Sequence, residues 1–175
     1  MPDLTASAPR RPRVVGFLCD WAVSSEGLVR EDGTMRDLPN VTLIKIPCSG
    51  FVRPSWLEFA LRSGADGAFV CGCPLGDCFN RLGNNLIADR VVQMRRRLER
   101  QKFQPDRVAT IFYGLHDGPE FVAAVRAFCE RIAQLPAPPP APARRPAAGA
   151  PAGAGGAEGA SREPQAGPAP GREEP

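Results

Sequence analysis

Between Arg13 and Leu135 the chain repeats one alternation, and that repeat leaves few folds open. Short apolar runs rich in Val, Ile and Phe occur at "VVGFLC" (14–19), "VTLIKIPC" (41–48), "GAFVCGC" (67–73) and "VATIFYGL" (108–115). Runs this short and this β-branched suit strands buried on both faces, expected at 14–19, 41–47, 67–72 and 108–113. Helical spacing lies between them. In "RPSWLEFALRSG" Pro54 fits a first turn and Gly64 a C-terminal stop, with Trp56, Leu57, Ala60 and Leu61 apolar. Ile87, Val91, Met94 and Leu98 form one stripe of a second helix, with the Arg95–Arg100 cluster mostly on its solvated side. Asp117 is placed to cap a third, whose buried face is Phe121, Val125, Phe128 and Ile132. For the first connection, Asp20 to Pro39, the pattern predicts a short helix near Ala22–Arg30 followed by a loop.

The order β-α-β-α-β-α-β-α implies an α/β fold. It is a Rossmann-like or flavodoxin-like parallel four-stranded sheet with right-handed crossovers and helices on both faces. In open parallel sheets, ligands bind outside the carboxyl ends of the strands, near the point where strand order reverses. Cys19 ends the first strand and Cys48 the second. Cys73 ends the third, and Cys78 lies in the loop after it. Four thiols from three parts of the chain are therefore expected at one edge of the sheet.

Four thiolates can hold zinc or an iron–sulfur cluster. No C-x2-C knuckle of the usual structural zinc kind occurs; the near pairs are Cys71-x-Cys73 and Cys73-x4-Cys78. A thiol/disulfide switch and plain packing also remain open. Gly72, Gly76, Ser49 and Gly50 are small enough to let backbone N–H groups approach cluster sulfurs and tune a reduction potential. Cys71 alternates within its strand and reads as core, as does Cys129 beside Phe128 on a helical face. His116, the only histidine, falls at the end of the fourth strand and points to the same edge. Asp77 belongs to the cysteine loop without a catalytic role. Neither a phosphate-binding glycine pattern nor a Ser-His-Asp order is present.

The ends of the chain differ in composition. Residues 136–175 contain no aromatic or branched aliphatic side chain and read as a disordered Pro/Ala/Gly-rich tail; residues 1–12 read as a flexible N-terminus. The ordered domain is thus expected at 13–135. No apolar run suits a signal peptide or a bilayer span, so a cytoplasmic protein with no membrane partner is expected. A reducing compartment favours metal or redox chemistry over a disulfide framework for the six cysteines. A net charge of +3 gives no reason to expect nucleic acid.

"GFLCDWA", "IPCSG", "GADGAFVCGCPLGDC" and "GNN…R", in this order, resemble the delta subunit family of methyl-viologen-reducing hydrogenase. The similarity spans about Val14 to Leu135. The resemblance implies one [2Fe–2S] cluster on Cys19, Cys48, Cys73 and Cys78. It implies a non-catalytic electron-transfer subunit of an oxidoreductase complex, working between a catalytic oxidoreductase partner such as a hydrogenase and a heterodisulfide reductase A-like flavoprotein. The alternative is a zinc- or thiol-based binding module without redox function. Two positions depart from the family pattern. Ala22 stands where FLC-x-W-C would place a second cysteine, and Phe79 where histidine commonly follows GDC.

Overall fold

The computed structural model describes residues 10–138 of the 175. The tail expected from Pro136 and the N-terminus expected over 1–12 lie largely outside the described residues. Four strands form one sheet: β1 (Val14–Cys19), β2 (Val41–Ile46), β3 (Gly67–Gly72) and β4 (Val108–Phe112). Three helices follow from β2 onward: α1 (Pro54–Arg62), α2 (Gly83–Arg100) and α3 (Gly118–Gln134). The sheet order is β2-β1-β3-β4 and every pairing is parallel. That is the flavodoxin-like order, and it reverses between β1 and β3.

Burial explains why the strands read so plainly. All six residues of β3 are buried, as expected of a strand between two neighbours with helices above and below. One core packs Val14, Leu18, Phe69 and Cys71 against Phe121, Val125, Phe128 and Ile132 of α3. The other packs Phe17, Ala68 and Val70 against Leu57 and Leu61 of α1 and Ile87, Met94 and Leu98 of α2. At the opposite edge from the cysteines, the buried Arg107 guanidinium donates to Asp66 O at 2.7 Å, to Gln104 Oε1 at 2.7 Å and to Pro136 O.

The first connection corrects the expectation of a helix near Ala22–Arg30. Residues 20–40 form turns and two isolated antiparallel bridges, Val29 with Met35 and Thr34 with Thr42. Gly27 and Gly33 take φ values of 72° and 81°, which a helix cannot accommodate. Asp32 Oδ1 accepts from both Thr34 N and Thr34 Oγ1, so the side chain competes with helical bonding. The segment still buries Ala22, Val23, Met35 and Leu38 on the α3 face, covering the sheet where the helix was expected.

Candidate metal centre

β1 and β3 lie side by side, so Cys19 at the end of β1 and Cys73 just past β3 meet where the strand order reverses. Both are buried, as is Cys48, which follows β2; Cys78 is half-buried. The return of Cys78 is built from two tight turns. Asp77 N donates to Pro74 O at 3.0 Å with Gly76 at φ 89°, the left-handed third position of a type II turn. Arg81 N then donates to Cys78 O at 2.7 Å.

The Cys73 thiol is influenced by Cys19 and the Cys78 thiol by Cys48, and Cys48 Sγ and Cys78 Sγ both lie against the Cβ position of Gly83. Cys48 also feels the charge of Cys19, and Cys73 that of Cys78. Among the described residues, no three His, Cys, Asp or Glu side chains gather closely enough to hold a single metal ion.

Backbone amides surround these sulfurs. Burial raises the Cys78 thiol, but the N–H groups of Asn84, Asn80 and Gly83, with Cys48, outweigh it and bring Cys78 below its ordinary range. α2 has no side-chain N-cap, its N-cap position being Leu82. Burial pushes Cys73 up to about 11 against the Phe79 N–H, and the Cys19 and Cys78 charges add to the rise. Burial also raises Cys48, partly offset by the Gly50 N–H and the Asn80 side chain. The Cys73 thiol has one further acceptor, Trp21 O, at 3.3 Å.

Close packing holds these thiols in place. A Cβ on Gly83 would collide with Cys48 Sγ and lie 3.4 Å from Cys78 Sγ, while one on Gly50 would meet Gly83 Cα at 2.9 Å. Two glycines thus let the turn at Ser49–Phe51 and the start of α2 close around a sulfur. Arg90 of α2 fastens that turn by donating to Gly50 O at 2.7 Å and Val52 O at 3.2 Å. Above the sulfurs, the Trp21 and Phe79 rings stack at 3.6 Å and 5°. Phe51, Leu75, Phe79 and Leu82 are all exposed in these same loops.

The other singled-out residues separate from this group. Cys71 is fully buried in the α3-side core, its thiol pushed up to about 12 by burial and by the charges of Cys19 and Cys73. Cys129 is buried on α3, where its sulfur lies 3.8 Å from Asn40 Nδ2. His116 is exposed in the turn after β4, and Asp77 is exposed in the cysteine loop. Ala22 is buried and packs in the core. Sequence reasoning missed Gly83, Asn84 and Arg90 as builders of the centre. The one signal that could have found them is their joint presence in "GNN…R" directly after the cysteine loop.

Two cavities flank the sheet. One of about 550 Å³ opens beside Cys48, against Gly50, Phe51, Asn80 and Leu82. Another, of about 590 Å³, lies between β2 and α1, lined by Phe17, Ile44, Trp56 and Phe59 with no thiol. Its walls are apolar apart from Arg13, Asn40, Thr42 and Ser63.

The chain is 31% identical over 121 residues to the vhc iron-sulfur subunit of the F420-non-reducing hydrogenase of Methanococcus voltae, covering 69% of this chain and 84% of that protein. It is 30% identical over 124 residues to the iron-sulfur subunit of the F420-non-reducing hydrogenase of Archaeoglobus profundus, covering 71% and 90%. It is 26% identical over 133 residues to a subunit of the ferredoxin/F420H2-dependent CoB-CoM heterodisulfide reductase of Methanosarcina acetivorans, covering 76% of this chain and 17% of that protein. Residues 14–136, from the first residue of β1 to just beyond α3, match the family methyl-viologen-reducing hydrogenase, delta subunit, and the chain belongs to that family.

Proposed function

We propose that Cys19, Cys48, Cys73 and Cys78 hold one [2Fe–2S] cluster. The chain then relays electrons between a catalytic oxidoreductase subunit, such as a hydrogenase, and a heterodisulfide reductase A-like flavoprotein. The observation that carries this reading is that the ends of β1, β2 and β3 and the loop after β3 bring Cys19, Cys48, Cys73 and Cys78 to the sheet's carboxyl edge at its reversal point. A binuclear centre asks for two thiolates per iron, which four thiols at one edge can supply.

A bound cluster supplies one-electron exchange, and the chain's own groups set its conditions. The N–H groups of Gly50, Phe79, Asn80, Gly83 and Asn84 that face the sulfurs favour added negative charge there. Exposed apolar side chains around the site offer a surface on which partners can approach closely. The names of the relatives, from hydrogenases and from a heterodisulfide reductase, supply the two partner classes. A reducing cytoplasm would keep all four thiols available.

Iron and acid-labile sulfide analysis of anaerobically reconstituted protein, with visible and electron paramagnetic spectra, tests the assignment. Two irons and two sulfides per chain, lost on replacing any of the four cysteines by serine, is the expected result. Zinc in their place, or Cys19–Cys73 and Cys48–Cys78 disulfides with no metal uptake, would overturn it in favour of a binding or thiol module.

A further inference from the structure

We propose that Asn84 is the positioning residue of this centre, tying the backbone of Cys73 and Pro74 to the start of α2 and so fixing where the loop to Cys78 departs. The inference rests on the cluster reading and adds to it a residue that ligates nothing. Asn84 is fully buried at the second position of α2. Its Nδ2 donates to Cys73 O at 3.3 Å and Pro74 O at 2.6 Å. Its Oδ1 accepts from Asn85 N at 2.8 Å, and a Cβ on the preceding Gly83 would lie 3.4 Å from Cys78 Sγ.

Each contact has a distinct consequence. Cys73 lies just beyond β3, where the ladder to β4 has ended at Gly72, so its carbonyl needs a new donor. Asn84 provides that donor and passes the loop from the sheet to the helix. The same amide, by holding Pro74 O, pins the turn that starts the return to Cys78. Because one planar group makes the contacts on both sides, the loop cannot open without turning the amide away from α2. Ligands of a metal centre depend on such outer partners for orientation. Aspartate at this position has the same shape and keeps the acceptor. It presents oxygen to two carbonyl oxygens and buries a charge, so the loop tie is lost and repulsion is added; the uncharged leucine removes the tie without the charge.

The test uses the full chain with Asn84→Asp, the uncharged Asn84→Leu, and Leu98→Ala as a control that weakens α2 packing away from the cysteines. In the metal-free proteins, backbone hydrogen exchange at Asp77 and Cys78 is expected to rise at least tenfold in both Asn84 variants and not in the control. After reconstitution with ferrous iron and sulfide, loss of iron to a chelator is expected to be about ten- to a hundredfold faster in both Asn84 variants. Leu98→Ala, compared at equal distance from its thermal midpoint, should stay near wild type. Iron loss no faster than in Leu98→Ala, or loop exchange unchanged, would reduce Asn84 to a packing residue and overturn the proposal. If the wild-type chain takes up no iron, the cluster reading fails, while exchange in the metal-free loop still decides the role of Asn84.

Discussion

Gly83→Ala is the sharpest perturbation the site offers, because it adds one methyl group at the junction of the two thiol loops. Gly83 is the first residue of α2, and it is not among the glycines with positive φ, so alanine suits its backbone. The obstacle is space. The new Cβ would collide with Cys48 Sγ, and it would lie 3.3 Å from Gly50 N and 3.4 Å from Cys78 Sγ. Ordinary contacts between heavy atoms fall at about 3.5–4.0 Å, so the Cys48 sulfur must retreat by about 1 Å. Functional constellations tolerate displacements of about 0.5 Å. Overpacking costs about 1–3 kcal/mol, and the helix preference of alanine over glycine returns up to about 1 kcal/mol. The metal-free fold should therefore lose no more than about 3 kcal/mol.

Two measurements separate these effects. Thermal unfolding of metal-free Gly83→Ala should show one cooperative transition within about 15 °C of wild type. Iron and sulfide content after anaerobic reconstitution should fall about tenfold or more, because the Cys48–Cys78 pair is spread. A variant that folds and holds a full complement of iron with an unchanged visible spectrum would refute the claim that Gly83 packs between two ligand sulfurs. A variant that fails to fold would instead show the cost of overpacking to be misjudged.

Three further outcomes follow from other parts of the molecule. Phe79→Ala removes the ring stacked on Trp21 at 3.6 Å; in a Trp56→Phe background it should shift Trp21 emission and cost about 1 kcal/mol, and identical emission and stability would count against the stack. Cys71 is raised from 9.0 to about 12 in the fold, so its contribution is complete below about pH 9 and is lost as pH climbs towards 12. Denaturant midpoints at pH 8 and 10 should show a shallower decline in Cys71→Ala than in wild type, by up to about 1.4 kcal/mol per pH unit, and equal slopes would disprove the assignment. Truncation after Pro138 removes no aromatic or branched aliphatic side chain, so the thermal midpoint and iron content should stay unchanged; a fall in either would show that residues 139–175 contribute to the domain.

The strands were legible because burial on both faces writes itself as continuous β-branched runs, and Gly67–Gly72 is buried at every position. The helices were legible from their stripes, and Ile87, Val91, Met94 and Leu98 are all buried as their spacing requires. Ala22–Arg30 misled because its apolar residues do face the core, while left-handed Gly27 within it dictates a turn. At the site, strand ends located the thiols at one edge, since topology alone fixes where a strand stops. The influence of Cys19 on Cys73, the stack of Trp21 on Phe79 and the reach of Asn84 depend on loops meeting across the chain. No local periodicity records such meetings, and Gly83 reads in sequence only as a helix start.

Cys71 and Cys73 show how the end of a sheet separates two closely spaced thiols. Cys71 sits in register with Leu18 on one side and Ile111 on the other, so both neighbouring strands hold it within the core. Cys73 is two residues on, past the last β1 pairing at Cys71 and past the last β4 pairing at Gly72. With the ladder gone, its carbonyl passes to Asn84 and its sulfur turns to Cys19 and Trp21 O. Both thiols are buried and both are raised by burial, so neither exposure nor acidity separates them. The end of the sheet does. A strand two residues longer would draw Cys73 into the core as a second packing thiol, and the loop that returns Cys78 towards Cys48 would start too late.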